Sequence, residues 1–125
     1  MSNPTNPVGW FEIYVQDMAR ARKFYEAVFE VKLQELPSPA IKMLAFPMKS
    51  DAYGCPGALV HMPGVESRMG GTLVYFTCED CAVEAERAWK NGAKIFKPKF
   101  SIGDYGFIAL VYDTEGNMFG LHSMK

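Results

Sequence analysis

Between Trp10 and Val15 the chain alternates with period two: Phe11, Ile13 and Val15 fall on one side, Trp10, Glu12 and Tyr14 on the other. Successive residues of an extended chain point to opposite faces, so this is the pattern of a half-buried strand. In "MARARKFYEAVF", which follows, the apolar positions Ala21, Phe24, Tyr25, Val28 and Phe29 recur at helical spacing and form one stripe, with Arg20, Arg22, Lys23 and Glu26 mostly toward solvent. Asp17 stands where the N-cap of that helix is wanted. "VKLQEL" and "AIKMLAF", split by "PSP", read as two further strands, and "ALVHM" as a short fourth. "PMKSDAYGCPG" is a turn-rich loop and "PGVESRMGG" a linker, because Pro, Gly, Ser and Asp gather there.

The pattern then restarts. In "TLVYFTC" Leu73, Tyr75 and Thr77 alternate with Val74, Phe76 and Cys78, and "EDCAVEAERAWKNG" is a helix with Asp80 as cap and Gly92 as stop. "AKIFKPKF" is a strand whose Pro98 favours an edge or an end. "GFIALVYD", a tight "TEGN" turn with Gly116 free to take positive φ, and "MFGLHSM" close the chain. The order is βαβββ, linker, βαβββ: one domain over 1–125, with a first module at about 8–63, a linker at about 64–70 and a second module at about 71–124. The caps Asp17 and Asp80 lie 63 positions apart, and His61 and His122 near the module ends lie 61 apart. The repeat is carried by pattern more than by identity.

Each module has one amphipathic helix and four strands with one apolar face. Packing the helix on that face leaves the other free, and two such sheets curled toward each other make an open, cup-shaped barrel of class α+β. The residues expected to line the cup are Trp10, Glu12 and Tyr14, then Leu73, Tyr75 and Thr77, with Leu59 and His61 on one closing strand and Gly120 and His122 on the other. On this reading Glu12 interrupts an apolar strand because its face looks into a cleft.

A net charge of −1 gives no electrostatic footprint for nucleic acid or an anionic membrane. No apolar run approaches the ~20 residues of a membrane span. "MSNPTNP" has neither the basic nor the apolar region of a secretory leader, and three cysteines suggest no disulfide framework, so a cytoplasmic, reducing location is expected. Aromatic residues at 14% and eight methionines suit a pocket for a small organic molecule, and suit a plain core equally.

"VGWFEIYVQDMARARKFYEAVF" and the closing "YDTEGNMFGLHS" resemble the glyoxalase / bleomycin-resistance / extradiol-dioxygenase superfamily, the vicinal oxygen chelate proteins, over nearly the whole chain, and within it the branch described as lactoylglutathione-lyase-related. The resemblance implies paired βαβββ modules in a cup-shaped barrel, commonly a homodimer. It also implies a divalent metal held by His, Gln or Glu on the first and last strands of each module. Those positions fall at Trp10 and Leu73 on the opening strands, at Gly120, and at its first-module counterpart, taken as Leu59. None of these side chains ligates a metal, so no metal site and no cofactor are expected, and the Lewis acid of the family's enediolate chemistry is missing.

Four chemical alternatives remain open. Glu12, His61 and His122 form a possible replacement set for a divalent metal, or the histidines simply bond within the pocket wall. Glu12 is a candidate general base if burial raises its pKa, or a carboxylate bonded to water or a neighbouring Tyr. Cys78 and Cys81 form a C-x-x-C at a strand-to-helix junction, with nearby negative charge and burial working against a redox role. Trp10, Tyr14, Tyr75 and Phe46 either stack a ligand or fill the cup with one another. The expected function is binding of a small organic molecule in the cup, with an enzyme (lyase, isomerase or dioxygenase type) as the alternative.

Overall fold

The computed structural model describes residues 6–39, 41–51 and 54–125; the first five residues of "MSNPTNP", Ala40 of the third strand run and two residues of the 47–57 loop lie outside them. The elements are β1 (Val8–Tyr14), α1 (Met18–Phe29), β2 (Gln34–Leu36), β3 (Lys42–Ala45), β4 (Ala58–His61), β5 (Thr72–Thr77), α2 (Cys81–Lys90), β6 (Lys94–Ser101), β7 (Phe107–Tyr112) and β8 (Met118–Ser123), with a 3₁₀ turn at Gly103–Tyr105. This is the α+β arrangement of two βαβββ modules that the pattern predicts. The chain divides into two compact units, Trp10–Leu73, and Val74–Lys125 together with the residues up to Gly9.

In the first unit the strand order is β2-β3-β4-β1. β4 runs parallel to β1 and antiparallel to β3, which is antiparallel to β2. Asp17 caps α1, its carboxylate accepting the Arg20 N–H at 3.0 Å. The core of this unit is Val15, Leu33, Leu44 and Leu59, with Ile13, Ala21, Tyr25 and Phe46 packed against it. The expected five-residue stripe on α1 is only partly used: Ala21 and Tyr25 reach the core, whereas Phe24, Val28 and Phe29 are exposed and no α1 residue is fully buried. Residues 24 and 29 lie on the flanks of the stripe, and their rings pack on the Tyr25 ring instead, edge-on at 5.1 Å and stacked at 6.3 Å.

In the second unit the order is β5-β8-β7-β6, with β5 and β8 parallel and the rest antiparallel. Asp80 caps α2 by accepting the Ala82 N–H at 3.1 Å, and the helix ends at Asn91 before Gly92 at φ 100°. The core is Cys81, Ala85, Ala109, Val111 and Leu121, extended by Phe76 and Phe119. The first N–H of α2, from Cys81, donates to Ser123 Oγ at 2.9 Å and ties the helix start to β8. The "TEGN" turn is held by Asp113, whose carboxylate accepts the N–H groups of Glu115 and Asn117 at 2.8 and 2.9 Å. β6 is the last strand of this unit; it carries Lys94, Lys97, Pro98 and Lys99, and its pairing with β7 breaks register twice. Lys97 lies over the Phe100 ring at 4.3 Å, while Lys99 lies over Phe107 at 4.8 Å and bonds Asp80 at 2.9 Å.

Candidate functional site

In the first unit, strand pairing decides which side chains accompany Glu12. Glu12 is opposite Ala58, which is opposite Ala45; Tyr14 is opposite Val60, which is opposite Met43. Residues paired across a sheet share a face, so these six lie together on the side away from the Val15–Leu33–Leu44–Leu59 core. Glu12 is 5% exposed and Tyr14 3% exposed. The Tyr14 hydroxyl donates to Glu12 Oε1 at 2.7 Å. An isolated buried carboxylate costs several kcal/mol, and a charge-assisted O–H···O bond of this length offsets much of that. Trp10, on the same strand, is half-buried, and Leu73 is buried.

The same pairing corrects two expected cleft residues. Leu59 is opposite Ile13 and Leu44, belongs to the core under α1 and is fully buried there. His61 shares that parity on β4 and therefore points away from the Glu12 face. The first-module counterpart of Gly120 is then Ala58, not Leu59. The reason is a one-residue difference in the connecting loops. Ala58 to Gly120 and Val60 to His122 are each 62 positions, so the offset of 61 that joins the two histidines flips one of them to the opposite face. Nothing local to β4 reveals this parity, and the matching histidines point to the wrong one.

In the second unit Tyr75 is opposite Gly120 and Thr77 opposite His122, so all four share one face. Tyr75 is buried, and its ring lies across Gly120 so closely that a methyl added there would fall inside it. The glycine is therefore a requirement of the Tyr75 ring, not of backbone conformation. His122 Nε2 lies 2.6 Å from the Tyr105 carbonyl, which makes that nitrogen the protonated donor.

These positions do not fit a divalent cation. Trp10, Ala58, Leu73 and Gly120 carry no ligating side chain, and the space beside Gly120 is filled by an aromatic ring. Nor does the replacement set assemble, since Glu12 and His61 point to opposite faces of one sheet. Among the described residues no three His, Cys, Asp or Glu side chains converge. The C-x-x-C is likewise unsuited to redox work: all three cysteines are free, and burial, followed by the Glu84 carboxylate, pushes the Cys78 thiol up to about 12.

Residues 8–121 match the sequence model of the Glyoxalase/Bleomycin resistance protein/Dioxygenase superfamily. A "Glyoxylase-like domain-containing protein" from Didymella fabae is 29% identical over 114 residues, 88% of each chain. Among solved structures, methylmalonyl-CoA epimerase from Mycobacterium tuberculosis superposes with TM-score 0.66 at 13% identity, covering 100% of this chain and 92% of that one. A Streptomyces coelicolor methylmalonyl-CoA epimerase variant in complex with 2-nitronate-propionyl-CoA gives 0.63 at 13% identity, covering 94% and 96%. At such identities the structures establish the fold alone. The family match spans nearly all of the chain, and the chain belongs to the Glyoxalase/Bleomycin resistance protein/Dioxygenase superfamily.

Proposed function

We propose that this protein binds a small organic molecule on the first-module strand face that carries Glu12, without the metal site usual in its family. The observation that carries the reading is the buried Tyr14–Glu12 hydrogen bond on a face otherwise built from Ala45, Ala58, Val60 and Met43. A fixed polar pair among small and apolar side chains is the composition of a site that orients one polar group of a ligand. Because the pair is buried, a ligand must displace what covers it, and its gain appears as stabilisation of the folded chain. A second reading is an enzyme in which Glu12 moves a proton. The fold relatives named epimerases favour it, since inverting a carbon centre requires a proton acceptor.

The test is a thermal-shift panel of small organic molecules, run with and without Zn, Ni, Mn or Fe salts, on wild type and Glu12→Gln. A ligand at 100 times its Kd stabilises the folded state by about 2.7 kcal/mol. The expected result is stabilisation by an organic compound alone, lost in Glu12→Gln. Stabilisation that requires metal, with about one ion bound per chain, overturns the reading. Epimerisation of methylmalonyl-CoA that disappears in Glu12→Gln selects the second reading.

A further inference from the structure

The described structure contains a groove of about 430 Å³ lying wholly within Trp10–Leu73, between the first turns of α1 and residues 67–72. Its charged and aromatic lining comes from Tyr14, Asp17, Arg20, Phe24, Tyr25 and Arg68. Arg20 is expected on the solvent side of α1 and 64–70 in a linker, and of the six residues on the Glu12 face only Tyr14 borders the groove. The volume falls in the range of small-molecule sites, roughly 300–1,000 Å³.

We propose that this groove is a separate binding site for a small organic anion with a flat aromatic part, of the aryl carboxylate class. Three observations carry this. First, neither Arg20 nor Arg68 is in an ion pair among the described residues, although Arg22, Lys90 and Lys99 each are. Guanidinium groups stay charged at any accessible pH, and their planar fork matches a carboxylate. Two of them therefore face the groove against one carboxylate, Asp17, which already accepts the Arg20 N–H as the helix cap. Second, the Phe24 ring is 58% exposed and is braced edge-on by Tyr25 at 5.1 Å, giving the groove an uncovered aromatic wall. Third, the Arg68 segment is fixed to the sheet: the Arg68 carbonyl accepts the Gly71 N–H at 2.9 Å, and the Gly71 carbonyl accepts the Tyr14 N–H at 2.7 Å. Gln16 closes the same loop by donating to the Val65 carbonyl at 3.2 Å. The cationic groups are thus carried on tethered backbone, at the two sides of an aromatic surface.

The probe is 2-naphthoate, titrated into the full chain and followed by backbone amide NMR. Its neutral counterpart 2-naphthalenemethanol and plain acetate are titrated in parallel, with Arg20→Gln, Arg68→Gln and Glu12→Gln as variants. Saturable binding of 2-naphthoate that moves the signals of Arg20, Phe24, Ser67 and Arg68 is expected. Loss of one charge-assisted contact weakens binding about tenfold or more in each arginine variant, and added salt weakens it further. Neither acetate nor the neutral alcohol matches the naphthoate, because each supplies one half of the recognition. Glu12→Gln leaves the titration within twofold, which separates this site from the strand-face proposal. The proposal is overturned if 2-naphthoate shows no saturable binding, if the alcohol binds as tightly, if both arginine variants keep the wild-type Kd, or if the shifts map to the Glu12 face instead.

Discussion

The two modules share an element order and differ in one row of the sheet. In the first, Glu12 sits beside Ala58; at the equivalent place in the second, Tyr75 sits beside Gly120 and lies across it. One module buries a carboxylate and holds it with a tyrosine hydroxyl, while the other fills the same position with a ring that needs its neighbour to have no side chain. The repeat therefore preserves backbone pairing and lets the chemistry of that row diverge. The helices diverge too: α2 buries Cys81 and Ala85, whereas α1 buries no residue completely.

The largest expected effect tests the register that defines the comparison. Leu59→Ala removes a fully buried side chain from the core under α1 and costs about 3 kcal/mol in urea unfolding. A cost under about 1 kcal/mol would return Leu59 to a cleft wall. His61→Ala, on a half-buried strand end, stays within about 0.5 kcal/mol. Next comes the row itself. Gly120→Ala drives a methyl into the Tyr75 ring and costs about 2 kcal/mol, whereas Ala58→Gly costs about 1 kcal/mol or less. In a Tyr75→Ala background the Gly120→Ala penalty disappears; if it persists, the glycine answers to something other than the ring. Tyr14→Phe then removes the hydroxyl that donates to Glu12 and costs about 1–2 kcal/mol, with no matching loss on the second module's face.

Most of the fold was legible because its signals are local. Period-two alternation, the Asp17 and Asp80 caps and the Gly-bearing "TEGN" turn each encode an element within a few residues, and each element appears where they put it. Which face a side chain joins is local only as far as the strand extends. Glu12 and Tyr14 were separable from Ile13 and Val15 by counting along β1. Leu59 and His61 were not separable in this way, because their face depends on how β4 registers against β1 after a long loop. The groove was illegible for the same reason: Arg20 and Arg68 lie far apart in the chain, and nothing near either one signals the other.

The smallest effect concerns acid. In the first module the Leu33 N–H, followed by Arg22, holds the Glu26 carboxyl below its usual range; in the second the Asn117 and Glu115 N–H groups do the same for Asp113. A carboxyl whose folded pKa is depressed contributes stability above its unfolded value, near ~4, and loses that contribution as pH falls through the folded value. Glu26→Gln and Asp113→Asn should each lower stability slightly at neutral pH and flatten the fall below about pH 4 in melts taken across pH. A variant whose acid limb parallels wild type would remove its module from this pattern.

The strand run "KIFKPKF" at the end of the second unit's strand order has a consequence for the protein in concentrated solution. A foreign β-strand seeking to extend the sheet at β6 meets an imide with no N–H at Pro98, two interruptions in the ladder and the ammonium groups of Lys94 and Lys97. Open-ended polymerisation by strand addition is thus opposed at this end by features written into one eight-residue strand.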